Sequence, residues 1–179
     1  MKLRFLALLP LIATCAFAQT PGTLAPLPPD GFVTLEQIVQ DFSQQPDAAL
    51  QKYNGQRILV YGRIGQVNHS DDEEGDPLTV YLQMTNNITP DVKCVFTNSG
   101  VPQSGDVVVK SEDEEADFFH RNSSGDITAE KPFAIVGQTV GIRGTFDNFV
   151  AGDAILKDCR KVRARRMNEI LAQHGISTE

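Results

Sequence analysis

The sequence predicts a mainly β protein: a small, strongly curved five-stranded barrel with helices at either end. One observation leads. Ile58-Leu59-Val60-Tyr61-Gly62-Arg63-Ile64 and Val140-Gly141-Ile142-Arg143-Gly144-Thr145-Phe146 both read apolar-x-apolar-x-Gly-x-apolar. Alternation of period two marks a strand with one buried face, and a glycine on that face marks a sharp bend or a close backbone approach. Two such strands, one opening and one nearly closing an all-β stretch, are what a small barrel needs. The second observation is length, since 179 residues suit one domain with a modest core.

The chain begins with an expected export leader, Met1 to Ala18. Lys2 and Arg4 precede an apolar stretch from Phe5 to Phe17, and Ala16-Phe17-Ala18 offers a small-x-small cleavage site before Gln19. The stretch is shorter than the ~20 residues a membrane span needs. Ile12-Ala13-Thr14-Cys15 is an imperfect lipid-attachment motif, so anchoring at Cys15 is the alternative. Residues 19–31 hold Pro21, Pro26, Pro28 and Pro29 and predict a semi-rigid exposed tether. The domain proper is expected over 32–175.

Thr34-Leu35-Glu36-Gln37 reads as a capping box, and Leu35, Ile38, Val39 and Phe42 then form one apolar helical stripe. Pro46 starts a second short helix that Asn54-Gly55 ends. Strands are expected over Arg57 to Val67, over Leu78, Val80, Leu82 and Met84, and over Val92, Cys94 and Phe96. Two more follow from Thr139 to Phe146 and from Ala154 to about Cys159. Met167, Ile170 and Leu171 predict a short amphipathic tail helix stopped by Gly175. Residues 98–138 form a long insertion between strands three and four and predict a partly ordered segment. Within it, Ser111-Glu112-Asp113-Glu114 favours a helix, whereas Val107-Val108-Val109 and Phe118-Phe119 favour a hairpin.

Five strands with a long third-to-fourth connection fit the OB-fold, a Greek-key barrel in the order 1-2-3-5-4 closing back on 1. In that order the two glycine-bent strands are neighbours. The chain also resembles the exported bacterial tRNA-anti-like OB-fold proteins, many of them lipoproteins. The resemblance lies in Lys52-Tyr53-Asn54-Gly55 leading into Ile58-x-Val60-x-Gly62, and in Val92-Lys93-Cys94-Val95-Phe96. It continues in Gly137-Gln138-Thr139-Val140-x-Ile142-x-Gly144 and Ile155-Leu156-Lys157-Asp158-Cys159. It implies an OB barrel and a cell-envelope location, and no catalytic residues. The long acidic insertion and the imperfect lipid motif depart from that family.

Charge narrows the partners. Without the leader, 14 basic residues face 23 acidic ones, a net −9; residues 19–156 carry −12 and residues 157–179 carry +3. An acidic body repels nucleic acid and anionic membranes at long range. The exception is the tract holding Arg160, Lys161, Arg163, Arg165 and Arg166, a candidate anion-binding segment. A solvated helix terminus is its bland reading.

Cleavage would remove Cys15 and leave Cys94 and Cys159, an even pair suited to a disulfide in an oxidising compartment. Strands three and five are adjacent in OB order. Closing the 64 intervening residues would stabilise by about 4 kcal/mol in the chain-entropy account. Leu156 and Cys159 are three apart, so they share a face only if a bulge lies between them. Two buried free thiols are the alternative.

The outward face of strands one to four offers Tyr61, Arg63, Tyr81, Lys93 and Arg143, aromatic and cationic side chains of the kind OB-folds use on rings and phosphates. An ordinary wetted barrel face is the bland reading. Asp71-Asp72-Glu73-Glu74-Gly75-Asp76 fails the EF-hand pattern and, with the run from Glu112 to Asp117, reads as solvated surface. His69, His120 and His174 show no metal-ligand spacing, and no nucleophile motif is present. No metal or cofactor is expected. The leading expectation is a non-enzymatic binding or adaptor module of the envelope, contacting a protein, glycan or small ligand. A nucleic-acid or anion binder acting through the basic tract, and a thiol protein using the two cysteines, are the rivals.

Overall fold

A computed structural model describes residues 24–68, 78–83, 92–96, 106–112 and 115–177. The leader, Cys15, His69, the acidic loop 71–76 and the 86–90 turn lie outside the described residues. Two helices, α1 (Leu35–Gln44) and α2 (Pro46–Tyr53), precede the strands β1 (Arg57–Asn68), β2 (Leu78–Gln83) and β3 (Val92–Phe96). The insertion follows as β4 (Asp106–Glu112), β5 (Glu115–Arg121) and β6 (Ile127–Ile135). The chain then returns through β7 (Thr139–Val150) and β8 (Asp153–Val162) to α3 (Ala164–Gln173).

The barrel is closed in the order β1-β2-β3-β8-β7, with β7 back on β1. This is the expected Greek-key order, renumbered by the three inserted strands. The glycine-bent strands are partners, with Gly62 opposite Val140 and Gly144 opposite Ile58. At Gly62 an added Cβ would stand 2.9 Å from the Leu35 side chain of α1, so the missing side chain lets α1 close one end of the barrel. Ile58, Val60, Leu82, Cys94, Ile142, Phe146 and Leu156 fill the interior.

The helical expectations hold with one change. The Thr34 hydroxyl caps α1 by accepting from Gln37 N–H at 3.1 Å. The Gln37 side chain does not reach back to complete a capping box. It donates to Asp41 at 2.6 Å, because Asp41 is buried and needs donors. Lys52 at 2.8 Å and Tyr53 at 2.7 Å supply two more, which explains why Lys52-Tyr53 precedes the Asn54-Gly55 turn. Gly175, at φ +71°, stops α3 with Ile176 N–H returned to the Leu171 carbonyl.

Three features differ from expectation. The insertion is a three-stranded antiparallel sheet, order β4-β5-β6, and the helical reading is overturned at Ser111 and Glu112, which end β4. Val107-Val108-Val109 pairs with Phe119-Phe118-Asp117, where a β-branched run beside aromatics outweighs a local capping motif. The fourth and fifth barrel strands run on to Val150 and Val162. They are joined by Ala151-Gly152, both at positive φ, the two-residue turn that matches strand twist. Finally, the proline-rich segment is laid on the domain from residue 24 onward. Leu24 and Leu27 pack against the core, and Phe32 bridges to Leu59 on an edge of β1 that β2 leaves free.

Outside the barrel, Phe32, Leu59, Met167, Ile170 and Leu171 make a second apolar cluster that seats α3 across β1 and β7. Asp30 and His174 join the two ends of the domain at 2.9 Å. No described helix is long and apolar enough to cross a membrane.

Candidate functional site

Where α3 meets the barrel, a cleft of about 590 Å³ opens between β8, the β6–β7 corner and the first turn of α3. Its walls come from three separated segments. Tyr61 projects from β1 opposite Gly141. Pro132 and Phe133 come from the inserted sheet, and Arg160, Lys161 and Arg163 from the end of β8 and the start of α3. Gly141 makes the junction possible, because a Cβ there would run into the Met167 side chain of α3. The repeated pattern thus carries two glycines in β7: Gly144 relieves the inside of the barrel and Gly141 the outside.

The cations play different parts. Lys161 donates to the Phe133 carbonyl at 2.7 Å and to Gln138 Oε1 at 3.2 Å, pinning the inserted sheet to β8. Burial depresses its pKa, since the charged amine is harder to hold away from water. Arg160 and Arg163 are exposed, and neither takes an ion pair among the described residues. Arg163 is also the N-cap of α3, with no side-chain cap and no acidic residue in the first turn. The positive end of that helix dipole therefore faces the same cleft. Arg165 and Arg166 point elsewhere and pair with Glu169 at 3.4 and 3.0 Å on the solvent side of α3.

The expected sheet-face residues do not form one surface. Tyr61 goes to the cleft, and the Arg63 guanidinium lies over Gly137 in the β6–β7 turn. Tyr81 and Lys93 are cross-strand partners, with the amine 6.0 Å from the ring centre, and Tyr81 sits opposite Gln66, well along β1 from Tyr61. Arg143 is engaged, donating to the Asp30 carbonyl at 3.1 Å and so holding the N-terminal segment. Sequence reading missed Phe133, Gln138 and Met167. Pro132-Phe133 within a polar insertion was the one available signal.

Cys94 and Cys159 are both fully buried, and in the structure they stand as two thiols, the alternative that the sequence left beside the bond. Each sulfhydryl also has an acceptor in its own strand: Val92 O at 3.8 Å for Cys94 and Leu156 O at 3.5 Å for Cys159. Burial pushes the Cys94 thiol well up, with a hydrogen bond to Cys159 adding to the effect. The bulge that the sequence required is present. Asp158 at φ +50° inserts one extra residue in β8, between the pairs Arg143–Arg160 and Thr145–Lys157, so Leu156 and Cys159 both face inward.

The reading of Glu112 to Asp117 as wholly solvated is also corrected. Asp117 is buried opposite a bulge in β6, where Phe133 is the extra residue. His174 is committed to Asp30, and no cluster of metal-ligating side chains occurs among the described residues.

A family model described as tRNA_anti-like matches residues 19–160, most of the chain. The chain belongs to the tRNA_anti-like family. Among solved structures it is similar to a crystal structure from Klebsiella pneumoniae subsp. pneumoniae, a lipoprotein to which nucleic-acid binding is provisionally ascribed. That likeness has a TM-score of 0.48 and 17% identity, and covers 74% of this chain and 91% of the other. No curated protein matches in sequence. The tRNA_anti-like match runs from residue 19 into β8 and stops at Arg160, the first cation of the cleft.

Proposed function

We propose that this protein is a non-enzymatic, exported OB-fold binding module whose cleft takes a nucleic-acid strand or a comparable chain of phosphates. The observation that carries the reading is the convergence of Tyr61, Arg160 and Arg163 beside the positive end of α3. An aromatic face and two guanidinium groups with no ion pair among the described residues are the parts used for stacking a base and holding backbone phosphates. The site lies at the rim between barrel, insertion and tail, and takes Tyr61 alone from the outer face of β1 to β3. It is also where the chain's charge turns positive, since residues 157–179 carry +3 against −12 for 19–156. Export through Met1–Ala18 is part of the proposal, with lipid attachment at Cys15 as the alternative route. The mass of the mature N-terminus distinguishes the two.

The test is fluorescence anisotropy with a labelled single-stranded oligonucleotide at several salt concentrations. Binding should weaken steeply between about 50 and 200 mM salt. Arg160→Glu/Arg163→Glu should weaken it about tenfold or more while leaving the circular dichroism spectrum unchanged. Binding that ignores salt, or that survives the double reversal of charge, would sink the reading. An acidic body limits affinity, so micromolar binding is the expected scale.

A further inference from the structure

We infer that Cys94 and Cys159 are a covalent closure site, oxidised to an intramolecular disulfide by a disulfide-bearing oxidant while the barrel is still closing. The argument starts from the seam they flank. Among the described residues β3 and β8 make the one parallel strand pairing of the barrel, and their ladder is three pairs long: Val92–Ala154, Lys93–Ile155 and Cys94–Leu156. Parallel pairing is slightly weaker per residue than antiparallel pairing. It also joins segments separated by the whole insertion, so its loop-closure cost is large and comes before any contact is gained. β1–β7, by contrast, is held by seven consecutive pairs from Arg57–Thr145 to Arg63–Thr139.

At this seam the fold goes to some length to bring two sulfurs together. Asp158 adopts a left-handed backbone that L side chains disfavour, and the bulge it makes turns Cys159 inward. Gly144 leaves room for that sulfur: a Cβ there would stand 2.7 Å from Cys159 Sγ. Cys94 lies in register with Leu156 on the neighbouring strand, within hydrogen-bond reach of Cys159.

Both sulfurs are fully buried, so the finished barrel shields them from reagents and the chemistry belongs to the folding chain. One thiolate attacks the oxidant R–S–S–R, forming a mixed disulfide and releasing RS⁻. The second thiolate attacks the protein sulfur of that mixed disulfide and releases the other RS⁻. Two protein thiols become one disulfide, and the oxidant gains the two electrons as two thiols.

The experiment refolds the denatured, reduced chain from Gln19 onward, which lacks Cys15, with oxidised and reduced glutathione and reads intact mass together with thiol alkylation in denaturant. The expected product is two mass units lighter than the reduced chain and takes no label. Its Tm should fall by about 10 °C on reduction, as expected for closing a loop of this length. Already-folded reduced protein should resist both alkylation and oxidation until it is denatured. Two free thiols after oxidative refolding would overturn the inference, and so would two glutathione adducts. The wild-type chain alone decides the matter, so no variant need fold, and nucleic-acid binding plays no part in the readout.

Discussion

Gly144 lies directly under the sulfur of Cys159: a Cβ at the glycine would sit 2.7 Å from Sγ, 3.0 Å from Leu156 Cβ and 3.1 Å from the Lys157 carbonyl. Two of those three atoms are stiff, the carbonyl because it is backbone and Leu156 Cβ because it is fixed to it. Gly144→Ala should therefore destabilise the barrel by about 1–3 kcal/mol, read from urea unfolding. Adding Cys159→Ala should recover part of that loss. A Gly144→Ala protein as stable as wild type would show that the seam is looser than the geometry states.

The α1–α2 hairpin is held by one carboxylate. Asp41 accepts from Gln37, Lys52 and Tyr53, and the side chains of Asp41 and Lys52 are only 3% and 11% exposed. Burial by itself would raise the Asp41 pKa, but the hydrogen bonds from Lys52, Tyr53 and Gln37 outweigh it and hold the carboxyl below its ordinary 3.8. Burial and the neighbouring carboxylate push the Tyr53 hydroxyl strongly the other way. Asp41→Ala should cost about 3 kcal/mol, because it strands a buried ammonium and a buried hydroxyl.

The same shift fixes the sign of a pH effect. A depressed carboxylate stabilises the fold fully above its unfolded value, near pH 4, and loses that contribution as pH falls through the folded value. Asp41→Asn should flatten the acid limb of the stability curve below about pH 4 relative to wild type. Denaturant midpoints measured from pH 6 down to pH 2.5 check this, and parallel curves would exclude it.

At the opposite end, Asp30 is held by Phe32 N–H at 3.0 Å, by His174 at 2.9 Å and, through its carbonyl, by Arg143 at 3.1 Å. Burial opposes its ionisation, yet the His174 and Phe32 hydrogen bonds keep its pKa lowered. The pair is roughly a quarter exposed, so His174→Ala should cost only about 0.5–1 kcal/mol globally. The local effect should be larger. Val33 and Leu59 N–H, which donate across the short bridge between residues 31–33 and β1, should exchange with solvent faster in the variant. Unchanged exchange at both amides would show that the clasp does not hold the segment.

In the cleft, Lys161 and the two arginines should separate. Because the Lys161 amine is already satisfied by the Phe133 carbonyl and Gln138, Lys161→Met should lower stability by about 1 kcal/mol. It should change oligonucleotide affinity far less than Arg160→Glu/Arg163→Glu. Equal losses of affinity from both changes would make Lys161 a direct contact.

Much of the architecture was legible in linear order. Period-two alternation, the Thr34 cap, Pro46 at the head of α2 and the stops at Gly55 and Gly175 are local signals. Each acts through torsions and hydrogen bonds within a few residues. The glycine pattern went further, because a strand bent at the same point twice needs a partner that bends with it. The need for a bulge between Leu156 and Cys159 followed from spacing alone, and Asp158 supplies it. The insertion was harder to read. There the competing cues of a capping box and a valine run were settled by which strand lay alongside, and a neighbour is not a local property.

Sequence alone established a glycine-bent β-barrel carrying an acidic body and a basic tail, since composition, period and turn chemistry are written residue by residue. It did not establish the cleft. Tyr61, Phe133 and Arg163 belong to three segments that meet only after the barrel has closed, the inserted sheet has folded back, and Lys161 has reached across to the Phe133 carbonyl. It also sorted five candidate face residues together that the fold then dispersed to four places. Side-chain direction follows from the pleat, but which directions converge depends on strand tilt, bulges and packing between distant elements, and those exist only in three dimensions.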